Sequence, residues 1–278
     1  MTRRLILALA TGMICVSCPA FAQSAQFRWQ SGEILLYRVE QVTIATATSG
    51  DSKTETKTKL DLTKRWEVKS VDKAGVATLH MSLTRLRLEN TRPDGESLIF
   101  DSANLDKSNP EMAKELSGYI GKPLAILRID SQGRVVEVKE SKFGSSSRFE
   151  NELPFVMILP ELGPKEGQKW ERAYKITLEP PQGTGEKFDA IQNYACKGLT
   201  GNLATVALQS EVKNPPESAS DQEPLLQFQP QGEVVFDVRL GRMKSAHLAI
   251  DKELKGPQGT SSSYRLQSNY TEEYVGDK

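Results

Sequence analysis

Histidine and cysteine are scarce in this chain: two and three in 278 residues. These side chains hold zinc and supply most nucleophiles and general bases that work near neutral pH. His80 alternates with Leu79 and Met81, and His247 with Ala246, Leu248 and Ile250, so both fall on the polar sides of their strands. Neither has a second His, Cys or carboxylate at zinc-ligand spacing, which leaves only a cross-strand pairing of the two open. A Gly-rich phosphate loop is missing, because "GPQGTSSSY" and "PPQGTGEK" lack the Lys-Ser/Thr ending and a following helix. There is no Gly-x-Ser-x-Gly elbow. "DSANLDKSN" at 101–109 offers oxygen ligands without the calcium-loop spacing or its terminal Glu. Carboxylates are plentiful on polar strand faces, but no catalytic residue can be nominated among them, and no cofactor or metal is expected.

An excess of one charge is also missing. With 36 basic and 36 acidic residues the net charge is zero, which argues against a nucleic-acid binder. Outside the first 22 residues no apolar run approaches the roughly 18–20 needed for a membrane-spanning helix.

What is present begins with an export leader. Arg3 and Arg4 form a positive start, Leu5 to Val16 an apolar core too short to span a bilayer, and Ala20-Phe21-Ala22 a processing site before Gln23. Cleavage after Ala22 places residues 1–22 in a discarded signal peptide and the mature protein outside the cytoplasm, periplasmic or secreted. The competing reading is a lipoprotein signal with Cys18 acylated; Cys15 at −3 and Pro19 directly after fit that motif poorly. Cleavage removes Cys15 and Cys18, so Cys196 remains without an intramolecular disulfide partner. In "FDAIQNYAC" it alternates with Phe188, Ala190 and Tyr194, which predicts a buried, inert thiol on a strand's inward face.

The mature chain reads as strands almost throughout. "LDLTKRWEV" has Leu60, Leu62, Trp66 and Val68 on one parity and Asp61, Thr63, Arg65, Glu67 and Lys69 on the other, the pattern of a half-buried antiparallel strand. "WERAYKITL" repeats it with Trp170, Tyr174, Ile176 and Leu178. Turn signals at 72–75, 93–95, 131–133, 198–202 and 256–257 separate the strands. Parity breaks twice, which predicts a β-bulge near Glu40 and Gln41 and a slip at Arg85.

Five strand motifs recur in the same order in the two halves of the chain. "GEILLYRVEQVTI" pairs with "GQKWERAYKITL", "KLDLTKRWEV" with "EKFDAIQNYAC", and "GVATLHMSL" with "NLATVALQS". "GESLIFD" pairs with "GEVVFD", and "RIDSQGRVVEV" with "FDVRLGRMKSA". A duplicated unit is therefore expected, with halves at 23–152 and 167–278 joined by an apolar connector at 153–166. The alternative is that two β meanders simply look alike. The first half carries a helical insertion near 110–120, with Asn109 as N-cap, Pro110 at the first helical position and Gly121 as a stop. The connector "ELPFVMILPELG" reads either as a buried crossing or as a lid over an apolar cavity. "ATSGDSKTETKTK" (47–59) reads as a long hairpin tip and "KNPPESASDQEP" (213–224) as a mobile loop.

The strand opening from Gly32-Glu33 to Tyr37, "FDS" before a helix, and the hairpin of Gly121, Pro123, Leu124, Asp130, Gly133, Arg134 and Val135 resemble a family of exported bacterial proteins of unknown function. More distantly, a curved antiparallel sheet with a helical cover is similar in architecture to periplasmic lipoprotein carriers of the LolA type. The expected fold is mainly β: a curved antiparallel sheet, half-barrel or sandwich, from two similar multi-stranded halves with one or two short helices. Two functions stay open. One is a non-catalytic module binding an apolar ligand or lipid on the concave face, at Leu60, Leu62, Trp66, Trp170, Tyr174 and Phe188, under a cover formed by 110–120 or 153–159; the same residues also suit a filled core, the usual interior of small barrels and sandwiches. The other is a hydrolase of an extracellular polymer using cross-strand carboxylates. A scaffold that recruits an envelope protein through exposed strand edges is a third option.

Overall fold

The computed structural model describes residues 25–142, 148, 149, 153, 157–257, 259 and 261–277. The leader, the Ala22 processing site, Cys15 and Cys18 lie outside these residues, as do Pro154, Phe155 and Val156 of the connector. Among the described residues the chain is mainly β, one antiparallel sheet of twelve strands not closed into a barrel.

The first half supplies β1 (Ile34–Ser49), β2 (Ser52–Val71), β3 (Ala77–Thr91), β4 (Ser97–Asp101), β5 (Pro123–Ile129) and β6 (Val135–Ser141). The second supplies β7 (Lys169–Thr177), β8 (Lys187–Thr200), β9 (Leu203–Val212), β10 (Gln231–Asp237), β11 (Arg242–Lys255) and β12 (Ser262–Asp277). Their order is β6-β5-β3-β2-β1-β12-β11-β10-β9-β8-β7, with β4 added on the outer part of β3. Followed from β7 through β12 to β1 and on to β6, this is one continuous meander. Most adjacencies join strands that follow one another in sequence; β3 with β5, which spans β4 and α1, and β12 with β1 do not.

The sheet is strongly curled. Backbone hydrogen bonds run from Phe27 N to Ser131 O at 2.8 Å and from Arg28 N to Gly241 O at 2.9 Å. Ser131 lies in the β5–β6 turn and Gly241 in the β10–β11 turn, five strand steps apart. In a flat sheet they would be about 24 Å apart, at roughly 4.8 Å per strand. Two consecutive residues reach both, so the turns have been brought together. Gly133 and Gly241 make this possible: both sit at positive φ, +87° and +67°. A Cβ at Gly133 would lie 2.5 Å from the Phe27 ring, and one at Gly241 2.7 Å from Gln26 O.

The concave face holds the core. Leu35, Tyr37, Trp66, Leu79, Leu127, Tyr194, Val206, Val234, Phe236 and Met243 all belong to one buried cluster. Between β6 and β7, Phe149 and the connector residues Leu153, Met157 and Leu159 are buried in the same cluster. These four side chains fill this part of the interior. Gln132 holds the connector in place: its side-chain amide donates to Leu159 O at 3.0 Å, and its backbone carbonyl accepts from Leu159 N at 2.9 Å. Helix α1 (Pro110–Leu116) starts as expected: Asn109 Oδ1 accepts from Glu111 N and Met112 N at 3.1 and 3.2 Å. It packs beside β4 and against the main cluster.

Three sequence expectations meet the structure differently. The slip expected at Arg85 is present, with Thr84 the extra residue between the pairs Leu83↔Lys64 and Arg85↔Thr63. The bulge expected near Glu40 and Gln41 is not: β1 runs in unbroken register from Tyr37 to Ser49 against both neighbours. Gln41 and Thr43 therefore face inward while Val42 is exposed. The inward face tolerates them because Ser268 hydrogen-bonds both, at 3.1 and 3.0 Å. Finally, the stretch read as a mobile loop contains α2 (Ala219–Gln222) and runs into a 3₁₀ turn, Glu223–Phe228. Leu225 and Leu226, just beyond the polar run, are buried and anchor it.

Cys196 is buried on the inward side of β8, and burial pushes its thiol up. His80 is half-buried, which lowers its imidazole, and His247 is exposed. Among the described residues no His, Cys, Asp or Glu cluster suits a metal ion. No helix of the described residues is long and apolar enough to cross a membrane.

Candidate functional site

The outer part of the concave face is not filled. Strand register sets its floor as rungs across β2, β1, β12 and β11: Thr58–Thr43–Ser268–Ile250, then Leu60–Gln41–Tyr270–Leu248, then Leu62–Val39–Glu272–Ala246. The 3₁₀ turn contributes Gln227 and Phe228 from one side, and Arg148 and the connector's Leu153 contribute from the other. Together they bound an open groove of about 440 Å³. That volume lies at the lower end of the roughly 300–1,000 Å³ of small-molecule sites. Leu60, Leu62, Val39, Leu248, Ile250 and Phe228 make the walls apolar.

The inner end is charged. Lys64 Nζ lies 3.3 Å from Glu272 Oε2, with side chains only 6% and 0% exposed. The ammonium also donates to Tyr270 OH at 3.3 Å and to Leu153 O at 3.4 Å. Tyr270 OH in turn donates to Glu272 Oε2 at 2.5 Å. Buried ions carry a large desolvation cost, so such a pair persists only when each member is held by the other and by further hydrogen bonds. Here β2 and β12 deliver the two charges, and the connector's carbonyl supplies an additional acceptor.

The six apolar residues nominated from the sequence do not form one site. Leu60 and Leu62 line the groove. Trp66, two residues beyond Lys64 on the same strand face, is sealed in the main core. Trp170 stacks on Tyr194 at 5.4 Å and donates its indole N–H to Ile158 O at 2.7 Å. Tyr174 and Phe188 belong to a second cluster with Ile176, Leu178, Ala190 and Leu225. The expected cover α1 does not close the groove, since it lies at β4, and among the described residues between β6 and β7 Arg148 and Leu153 reach the wall. The 3₁₀ turn takes that position. Sequence reading missed Gln41, Lys64, Ser268, Tyr270, Glu272 and Phe228. A signal did exist for one of them: Lys64 stands on the inward parity between Leu62 and Trp66, where an apolar residue is expected.

Tyr194 illustrates the dryness of the neighbouring core. Burial pushes its phenol up to about 12, above the ordinary value of 10. Between those values the unfolded chain releases a proton that the folded chain retains. Stability present at neutral pH is therefore lost as pH rises from about 10 to about 12, by some 2–3 kcal/mol. Urea midpoints across this range should fall, and Tyr194→Phe should remove most of the slope. A flat profile would place Tyr194 in contact with water.

No family model matches this chain, and no curated protein matches it. Among solved structures, one described as "Lipid-protein interactions in lipovitellin" is similar over 90% of this chain, at 15% identity and a TM-score of 0.49. The chain spans only 26% of that one's length. DynF from the dynemicin pathway of Micromonospora chersina aligns over 99% of this chain and 94% of its own, at 10% identity and a TM-score of 0.25. Likenesses of this degree establish no kinship. The class of protein is thus defined by the chain's own geometry: an open, curled antiparallel sheet with a partly covered groove on its concave side.

Proposed function

We propose that the protein is an extracytoplasmic binding or carrier module that takes an amphipathic ligand into this groove. One observation carries the reading: the central strands leave an open volume of about 440 Å³ with apolar walls on the face that the connector fills elsewhere. Unfilled apolar surface of this shape is costly for a protein that has no ligand to cover it. The leader read from the sequence supports the location. A polymer hydrolase has less to stand on, because among the described residues the groove lining contains no carboxylate.

Native mass spectrometry after gentle purification tests the proposal, together with titration of a hydrophobic dye. Bound lipid-sized mass or saturable dye binding is expected, and Leu62→Glu should abolish both while leaving the strand signal in circular dichroism intact. A chain at its bare mass that binds no dye would refute the carrier function.

A further inference from the structure

We infer that the protein has a second binding site, separate from the groove, which takes a small primary amine as its ammonium ion between Glu223 and Tyr264. The site lies toward the hairpin tips. Beyond the groove the strand register continues to the rungs Thr54–Ala47–Tyr264–Leu254 and Ser52–Ser49–Ser262. The 3₁₀ turn runs from Glu223 to Phe228, and its two ends face different spaces. Phe228 lines the groove, while Glu223 lines another cavity of about 190 Å³. Leu226, from the middle of the turn, packs with Ile250 and Leu266 and separates the two.

The lining sets the charge of the ligand. Glu223 is the charged residue among those that bound this cavity. Its side chain is half-buried, and among the described residues no cation pairs with it. Lys252, exposed on the rung of Leu266, makes no ion pair with it. Gln258 and Thr260, the tip residues outside the described set, carry no charge. Burial pushes the Glu223 carboxyl up, with no positive charge to offset it. Burial and then the charge of Glu223 push the Tyr264 phenol up as well. A carboxylate held partly out of water without a counter-charge is a cost that a bound cation removes.

The rest of the lining sets the kind of cation. Six serine and threonine residues border the cavity, among them Ser49, Ser52 and Ser263. Their hydroxyl oxygens accept hydrogen bonds, and a primary ammonium has N–H groups to donate. Ala47 and Tyr264 offer apolar surface to the carbon chain. A calcium ion takes several carboxylate or carbonyl oxygens, and no acidic cluster among the described residues supplies them. The volume falls below the roughly 300 Å³ where drug-sized sites begin, so the molecule is small.

Nuclear magnetic resonance of the isotope-labelled protein tests this, with n-butylammonium, tetramethylammonium, acetate and calcium chloride as separate titrants. Butylammonium should give saturable amide shifts at Ser52, Glu223 and Tyr264, leaving Leu60 and Leu62 of the groove unmoved. E223Q, a neutral isostere at a half-buried position, should weaken binding about tenfold, the effect of one charge-assisted hydrogen bond. Tetramethylammonium has the charge without N–H groups and should bind more weakly than butylammonium. The Ser52→Ala/Ser263→Ala double variant should narrow that gap. Absence of saturable shifts, or shifts centred away from Glu223, would overturn the inference. So would undiminished binding by E223Q, a gap that survives the double variant, or tighter binding of any other titrant. The carrier reading of the groove is tested separately by its dye and lipid measurements, and none of these outcomes bears on it.

Discussion

Lys64→Met is expected to lower the unfolding free energy by about 3–5 kcal/mol, the range for breaking a buried pair by removing one partner. The variant removes the ammonium beside the buried Glu272 carboxylate, to which Tyr270 OH still donates. The attraction between the two charges is not the measured quantity. What the experiment reads is the desolvation cost of the charge left behind. The double variant Lys64→Met/Glu272→Leu removes both ions and refills the space with apolar volume. It should return to within about 1 kcal/mol of the parent, or exceed it, as replaced buried pairs commonly do. Urea unfolding followed by tryptophan fluorescence decides the matter. If the single change costs no more than a surface substitution, roughly 0.5 kcal/mol, the pair is solvated and the groove floor is wet. If the double variant is as unstable as the single one, the ion pair positions the connector through Leu153 O, and charge burial is secondary.

Phe27→Ala should cost a similar amount, about 3–5 kcal/mol, the range for truncating a buried aromatic. Phe27 is 3% exposed, stacks on Trp29 at 5.3 Å and meets Phe236 edge-on at 5.0 Å. Its ring also closes over Gly133. The residue lies ahead of the first strand, yet its backbone and ring join hairpins from both halves. Its loss should therefore loosen a long-range junction as well as leave a cavity. Hydrogen exchange would show this as faster exchange at the β5–β6 and β10–β11 turns, with the β1–β2 pairing unchanged. A loss below about 1 kcal/mol, or uniform exchange across the sheet, would remove Phe27 from its role as the clasp of the curled sheet.

The strands were legible because antiparallel strands with one wet face alternate with period two, and the turns between them carry their own residues. Helix α1 was legible for a local reason too: Asn109 and Pro110 satisfy and preset its first turn. Local signals failed where distant groups decide. Val42 and Ile44 suggested a parity change in β1, but Ser268, from the other end of the chain, makes the inward Gln41 and Thr43 acceptable. The polar run ahead of Leu225 and Leu226 suggested mobility, but those two leucines find separate clusters to enter.

By itself the sequence determined a mainly β chain, the inward side of most strands, the site of the first helix and the burial of Cys196. Each depends on residues a few positions apart. The tertiary structure alone decided that Leu60 and Leu62 line a groove while Trp66, Trp170, Tyr174 and Phe188 do not, and that Lys64 finds Glu272 across the chain. Alternation says which way a side chain points. It does not say which strands become neighbours or how far the sheet curls. The pairing of β1 with β12, the crossing of the connector and the clasp at Phe27 set those, and all three join residues more than a hundred positions apart.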